Sequence, residues 1–237
     1  MCVKLSWTIL TLFTVLWKEA NGTFGSAKQL IEKYETEVNA SLDLDKSDRS
    51  LLVTWSEDFQ VKQVNITTKF RLQMHRHKEH SFNKSYSNNK WRGCLDIHSK
   101  EVLKTALFYF ENESECLKVA NSADRDKKLT IAQVAREIRK WRKGYKYLQN
   151  LCITNNPGDA DNIEGCLVEY MQKDNYDQTL QRLMMLKLEV MRDLFQEMAS
   201  AVVKLELCLK ETLSEYLGKV RAVMGVLNKC YLAGKHF

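Results

Sequence analysis

Apolar residues recur at alternating steps of three and four along two long stretches of the chain. In the first stretch they are Ile131, Val134, Ile138, Trp141, Tyr145, Leu148 and Cys152. In the second they are Leu183, Leu186, Val190, Leu194, Met198, Ala201, Leu205 and Cys208. This spacing is typical of a heptad stripe on an α-helix. The pattern therefore predicts two long helices that bury their stripes against each other.

Weaker signals surround these two helices. Segments 27–40 and 51–72 are amphipathic, whereas polar residues 81–93 predict a loop. Pro157, the one proline of the chain, lies within Asn-Asn-Pro-Gly-Asp, where a helix must end. Polar residues 172–177 predict a second break, and 121–128 a kink in the first long helix. No stretch alternates apolar and polar residues with the period of a strand, so we expect an all-α fold.

The first 22 residues have the pattern of a secretory signal. A basic start is followed by the apolar run 5–17 and by a small-residue site at 20–22. The run is shorter than the ~20 residues that cross a bilayer. Cleavage removes Cys2 and leaves an even six of the seven cysteines, as expected in an oxidising compartment. We therefore expect a secreted, extracellular protein without a transmembrane anchor.

The six remaining cysteines are nested along the chain. The sum of the two residue numbers, here called the index sum, is 324 for Cys94 with Cys230 and for Cys116 with Cys208. It is 318 for Cys152 with Cys166. Residues that face each other in antiparallel helices have a nearly constant index sum, so these are the predicted pairs. Pairing Cys208 with Cys230 instead requires a break in their helix near a glycine. The other connectivities of six cysteines also remain open.

Together these observations predict a long antiparallel helical hairpin stapled by three nested disulfides, with a smaller helical N-terminal lobe. The expected organisation is a signal over 1–22, the lobe with a basic loop over 23–93, and the hairpin over 94–237. After the predicted cleavage, four Asn-X-Ser/Thr sequons remain and mark exposed positions for N-glycosylation. They are Asn39, Asn65, Asn83 and Asn112.

Positive charge is concentrated in one helix. Positions 127–146 hold eight basic residues and one acid, Glu137, whereas the whole chain carries a net +6. On a helical wheel most of these cations lie opposite the apolar stripe, which predicts a ridge that binds an anionic glycan, a lipid headgroup or an acidic protein surface. Nucleic acid is not expected, because no nucleic-acid motif is present. The predicted anion-binding residues are Lys128, Arg136, Arg139, Lys140, Arg142, Lys143 and Lys146. The alternative is a solvated face that keeps the protein soluble.

Catalytic signals are lacking. The chain has no Gly-X-Ser-X-Gly, His-Glu-X-X-His, P-loop or dinucleotide motif, so we expect neither an enzyme nor a cofactor. His75, His77 and His80 invite a metal hypothesis, but Arg76 and Lys78 between them repel a cation. A solvated basic loop is the better interpretation. A rival function is a carrier of small hydrophobic ligands in a helical cavity lined by Met184, Met185, Met191 and Met198.

The cysteine arrangement and its flanking residues also resemble a known group. The matching residues are Glu115-Cys116-Leu117, Leu151-Cys152, Glu164-Gly165-Cys166, Glu206-Leu207-Cys208 and Asn228-Lys229-Cys230. Over about 111–231 the chain resembles the insect secreted proteins with a TsetseEP domain, although it lacks their Glu-Pro repeat tail. The resemblance implies a secreted all-helical protein of gut, saliva, haemolymph or reproductive fluid, and it implies no catalytic residue.

Overall fold

The computed structural model describes residues 27–83, 89–173 and 175–233. Helix α1 spans Ala27–Lys78 and continues as a short π-helix over Glu79–Asn83. Helix α2 spans Asn89–Ile97, α3 spans Ser99–Asn155, α4 spans Ala160–Lys173 and α5 spans Tyr176–Ala233. Since the described residues contain no strand, the all-α prediction is confirmed. The predicted signal, residues 1–22, lies outside the described residues.

Three disulfides join the helices of a hairpin. They link Cys94 to Cys230, Cys116 to Cys208 and Cys152 to Cys166, with Cα–Cα distances of 6.0, 5.9 and 5.8 Å. Helices α2 and α3 form the rising arm, and α4 and α5 form the returning arm. The nested pairing is confirmed, and the alternative of Cys208 with Cys230 is excluded.

The two predicted breaks in the hairpin are also confirmed. Helix α3 ends at Asn155, just before Pro157, and Gly158 has a φ of 81° that favours glycine. Asp159 then caps α4, because its Oδ1 accepts a hydrogen bond of 3.1 Å from the backbone N–H of Asn162. The second break follows Lys173, and Asn175 has a φ of 47° before α5 begins.

Two local predictions differ from the structure. Segments 27–40 and 51–72 belong to one helix of 52 residues, because no glycine or proline separates them. Helix α3 is continuous through 121–128, and the kink considered there stays a prediction. The predicted loop 81–93 is helical at both described ends, where Phe82 and Trp91 are buried in an apolar core beside Cys94.

The chain forms two compact units. Of the described residues, unit 1 comprises 27–46 with 135–173 and 175–185, and unit 2 comprises 47–83 and 89–134 with 186–233. The long helices α1, α3 and α5 each contribute residues to both units. The disulfide of Cys152 lies in unit 1, whereas the other two lie in unit 2.

In unit 2, helix α1 packs along both arms of the hairpin. It is antiparallel to α3, since Arg71 pairs with Glu113 while the ring of His75 lies 6.4 Å from that of Phe110. It is parallel to α5, as shown by Trp55 beside Phe195 and Lys69 beside Glu206. Helix α1 therefore contacts both arms of the hairpin in this unit.

The core of unit 2 follows the predicted stripe with one exception. Val190, Leu194, Met198, Ala201 and Leu205 are buried as expected. Leu186, however, is 45% exposed, and the neighbouring Lys187 is 2% exposed. Lys187 is buried because its Nζ lies 2.8 Å from Oδ2 of Asp48 on α1. A charge at this core position is tolerated only because a partner on another helix neutralises it.

Candidate anion-binding site

Five cations lie on one exposed side of α3 in unit 1. We call them the basic face: Arg136, Arg139, Lys140, Lys143 and Lys146, all exposed to solvent. Their spacings of three and four residues place them on one side of a helix. At a rise of 1.5 Å per residue, the row is ~15 Å long. The exposed side predicted from the helical wheel is therefore confirmed for these five residues.

The opposite side of α3 anchors this helix in unit 1. Trp141 and Tyr145 are 7% and 5% exposed, and both rings stack on Tyr34 of α1 at centroid distances of 6.1 and 5.8 Å. The indole Nε1–H of Trp141 donates a hydrogen bond of 3.0 Å to the backbone carbonyl of Tyr176. These contacts fix the rotation of the helix, so the basic face points to solvent.

Gly144 completes this aromatic packing. A Cβ added at Gly144 would collide with the hydroxyl oxygen of Tyr176. The ring of Tyr176 lies 5.2 Å from that of Trp141. Burial, together with the negative charge of Glu35, raises the pKa of Tyr145 to about 12. The aromatic cluster is therefore tightly packed and uncharged at neutral pH.

The charges of the basic face are mostly uncompensated. Within the described residues, Arg136, Lys143 and Lys146 form no ion pair or side-chain hydrogen bond. Arg139 donates from Nε to the carbonyl of Ala135, which leaves its charge in place. Lys140 lies 2.7 Å from Glu137, but both side chains are about half exposed, and such surface pairs contribute ~0–1 kcal/mol. The face can therefore attract a negatively charged partner.

Arg142, a predicted member of the anion-binding set, has a different position. Its side chain is 12% exposed, and its Nη2 lies 2.5 Å from Oδ2 of Asp45 on α1. Its Nη1 also donates to the carbonyl and hydroxyl oxygens of Ser41 at 3.1 Å each. The guanidinium is thus a structural link between α1 and α3 rather than part of the exposed face. In the sequence, the polar residues Ser41 and Asp45 occupy positions of α1 that the helical period assigns to the buried side, and this indicates a polar partner for them.

Lys128, the remaining predicted residue, lies in unit 2. Its side chain is half-buried and has contacts of its own. The adjacent Lys127 lies 3.9 Å from Asp193 of α5. We therefore do not include Lys128 in the basic face.

The described sequons differ in their surroundings. Asn39 and Asn65 are exposed on α1, in units 1 and 2 respectively. Asn112 of α3 is half-buried, and its Nδ2 donates a hydrogen bond of 2.8 Å to the carbonyl of Phe108. The side chain of Asn83 is outside the described part of the structure. Exposure at Asn39 and Asn65 agrees with the predicted positions.

The histidines lie in helical structure rather than in the predicted loop. His75 and His77 are in the last turn of α1, His80 is in the π-helix, and all three are exposed. Among the described residues, no group of three His, Cys, Asp or Glu side chains is arranged to hold a metal ion. No described helix has the length and apolarity needed to cross a membrane.

Unit 2 also has a surface groove of about 540 Å³ that opens to solvent. Its lining residues are Lys69, Phe70, Gln73, Val203, Glu206, Leu207, Lys210 and Leu213. The methionines predicted to line a cavity lie elsewhere. Met191 and Met198 are in the apolar core of unit 2, and Met185 is 51% exposed. The groove is therefore a different feature from the predicted cavity.

No protein-family model matches the chain, and comparisons with curated proteins and with solved structures give no match either. The resemblance to the TsetseEP group therefore stays a prediction. What the geometry defines is a disulfide-linked helical protein with an exposed row of cations.

Proposed function

We propose that this is a secreted, N-glycosylated, non-enzymatic protein that binds an anionic partner through the basic face. The observation that carries the proposal is the row of five exposed cations with a single acid, Glu137, among them. The shared chemistry of the partner is a series of negative charges, as on a sulfated glycan, a membrane of anionic lipids or an acidic protein surface. Long-range attraction and salt sensitivity follow from this chemistry.

Three features support the extracellular part of the proposal. Three disulfides are suited to an oxidising compartment. The N-terminus has the pattern of a secretory signal, and two sequons, Asn39 and Asn65, are exposed. A nucleic-acid partner is not part of the proposal, because such a partner belongs to another compartment.

The experiment is retention on immobilised heparin as a function of salt. The test variant carries Arg136→Gln, Arg139→Gln, Lys140→Gln and Lys143→Gln, which removes four charges from the face. Glutamine is a comparable helix former, so the helicity measured by circular dichroism is expected to stay unchanged. The unmodified protein is expected to bind at low salt and to elute as ionic strength passes ~0.15 M, where the Debye length is ~8 Å. The test variant is expected not to bind.

A control variant separates the face from net charge. Lys100, Lys104, Lys204 and Arg221 are exposed in unit 2, and replacing all four with Gln removes the same charge. The control is expected to remain bound under conditions that release the test variant. Equal loss in both variants, or no retention of the unmodified protein at low salt, would refute binding through this face. Vesicles of anionic lipid and an acidic peptide, assayed in parallel, distinguish the partner classes.

A carrier of small hydrophobic ligands is a second candidate, favoured by the groove of unit 2. Its volume of about 540 Å³ lies within the ~300–1,000 Å³ typical of ligand sites. Phe70, Leu207 and Leu213 supply apolar lining, and Lys210 supplies a cation for an acidic headgroup. The test is binding of a fluorescent fatty acid to the unmodified protein and to Val203→Gln/Leu207→Gln. These two side chains are 59% and 54% exposed, so the fold is expected to tolerate the change.

A further inference from the structure

An exposed tyrosine lies at the C-terminal end of the basic face in unit 1. Tyr147 of α3 is 66% exposed, more than any other described phenylalanine, tyrosine or tryptophan. Within the described residues its ring forms no ring contact and its hydroxyl forms no hydrogen bond. Tyr145, two positions earlier, is 5% exposed and stacks on Tyr34 of α1. Packing therefore accounts for Tyr145 and does not account for Tyr147.

Tyr147 continues the row of cations. Residues 136, 140, 143 and 147 are separated by four, three and four positions, which places Arg136, Lys140, Lys143 and Tyr147 along one side of α3. This row is ~16 Å long at 1.5 Å per residue. Aromatic side chains on a helix lean toward its N-terminus, over the residues three and four positions earlier. Here those residues are Lys143 and Gly144, and a glycine has no side chain to cover the ring.

An aromatic ring within a row of cations matches one class of anionic partner. The face of an aromatic ring carries partial negative charge, so it does not stabilise a sulfate or a carboxylate group above it. It does stabilise the C–H groups on the face of a sugar ring, which are apolar and slightly positive. A partner that has only negative charges would use the cations and leave Tyr147 without a contact. A chain of sugar rings that carries anionic groups uses both.

A membrane of anionic lipids matches this surface less well. A helix that lies in a membrane interface buries several large apolar side chains on one side. Besides Tyr147, the one exposed large apolar residue in the described part of α3 within unit 1 is Ile153, which is 48% exposed. The two residues are six positions apart, which is ~120° around the helix. They do not form one apolar side.

We propose that the anionic partner of the basic face is a sulfated glycan, and that one of its sugar rings stacks on Tyr147 while its sulfate groups pair with the neighbouring cations. Asn150, exposed one turn beyond Tyr147, offers an amide to the hydroxyl groups of the same sugar. The inference rests on the proposed function, because it names the partner class of the same face. Tyr147 is then the residue that makes this face selective among polyanions.

The test measures the Kd of the full chain for two polyanions by isothermal titration calorimetry at low ionic strength. Heparin has sugar rings and sulfate groups, whereas inorganic polyphosphate has negative charges and no ring. Tyr147→Gln is expected to raise the Kd for heparin about 3–10-fold, the range of an aromatic contact, and to leave the Kd for polyphosphate unchanged. Tyr147→Phe keeps the ring and is expected to bind heparin like the parent. Tyr170→Gln removes a 37% exposed tyrosine from α4 and, as the matched control, is expected to bind both ligands like the parent.

The salt dependence of binding separates stacking from charge. Each ion pair with a polyelectrolyte releases counterions, so the slope of log Kd against log salt concentration reports the number of ion pairs. Lys143→Gln is expected to make this slope shallower for both ligands. Tyr147→Gln is expected to weaken heparin binding with the slope unchanged. Circular dichroism checks that all variants keep their helicity.

The outcomes distinguish this inference from the proposed function. A Tyr147→Gln variant that binds heparin like the parent, or that loses affinity for polyphosphate to the same extent, would overturn the inference. A Tyr147→Phe variant as weak as Tyr147→Gln would also overturn it, because the hydroxyl rather than the ring would then be the contact. Binding of polyphosphate, an acidic peptide or lipid vesicles without binding of heparin contradicts the sulfated glycan alone. If the unmodified protein binds none of these ligands, the proposed function itself fails.

Discussion

Lys187 of α5 and Asp48 of α1 form a buried ion pair, with 2.8 Å between Nζ and Oδ2 and side chains 3% and 6% exposed. Removing one partner leaves the other charge buried and unpaired, which costs ~3–5 kcal/mol. Lys187→Met is therefore expected to lower the free energy of unfolding by about that amount in urea denaturation. Asp48→Leu/Lys187→Met is expected to recover most of the loss. A single variant as stable as the parent would contradict a buried charge pair.

Gly144→Ala is expected to destabilise the protein by ~1–3 kcal/mol, because the added Cβ collides with the hydroxyl oxygen of Tyr176. Gly218→Ala is the matched control within α5. Its added Cβ meets nothing within 4 Å, and alanine favours a helix over glycine by ~0.5–1 kcal/mol. Thermal unfolding should therefore show opposite shifts in Tm for the two variants. Shifts of the same sign would show that the aromatic cluster adapts to the extra methyl group.

Stability is expected to fall as the pH rises above ~10. Burial raises the pKa of Tyr145, with a contribution from Glu35, and that of Tyr216, each from 10.0 to about 12. Between these values the unfolded chain releases protons that the folded chain retains, so unfolding becomes more favourable with increasing pH. Well below pH ~10 both tyrosines are protonated in the folded and in the unfolded chain, so they do not change the free energy of unfolding with pH.

The measurement is urea denaturation between pH 8 and pH 11, repeated on Tyr145→Phe/Tyr216→Phe. The double variant is expected to show a flatter decline over the alkaline part of this range. A decline of the same steepness in both proteins would assign the alkaline loss to other groups, such as lysines.

The two outermost cysteines are expected to contribute more stability than the innermost pair. Cys94 and Cys230 are 136 residues apart, whereas Cys152 and Cys166 are 14 apart. Loop-closure entropy assigns the longer loop ~2 kcal/mol more stabilisation. Replacing the outer pair with alanine should therefore lower Tm more than replacing the inner pair. The reverse order would show that residual structure in the unfolded chain outweighs loop length.

Arg142 and Arg139 are expected to separate stability from binding. Arg142→Gln breaks the contacts with Ser41 and Asp45 and should cost ~3 kcal/mol of stability, yet leave heparin retention close to that of the parent. Arg139→Gln should weaken retention and leave the Tm unchanged, since its side chain is exposed. Identical effects of both variants on retention would place Arg142 in the binding surface.

The three nested disulfides could be predicted because the residue numbers of the paired cysteines have nearly constant sums. The index sums of the paired cysteines do not depend on how α1 packs. Pro157 predicts the turn because proline has no backbone N–H. The buried side of α3, from Ile131 to Tyr145, followed in the same way from helical periodicity.

The position of Lys187 could not be predicted from that periodicity. The local pattern predicts that Leu186 is buried and Lys187 is exposed. The structure shows the opposite, because Lys187 pairs with Asp48 of α1, 139 positions earlier in the chain. Arg142 shows the same limit, since Ser41 and Asp45 determine whether its charge is exposed. Pairings between distant segments have no signature within a single window of sequence.

The outer disulfide has a topological consequence for damage to the backbone. Because Cys94 is bonded to Cys230, one peptide bond cut anywhere between them leaves two fragments that remain covalently attached. A protease could nick this chain within the hairpin without releasing either piece, and the nick would appear on a gel only after reduction. Loss of the assembled protein then requires two cuts or a reductant, so a single proteolytic event within the hairpin cannot separate its parts.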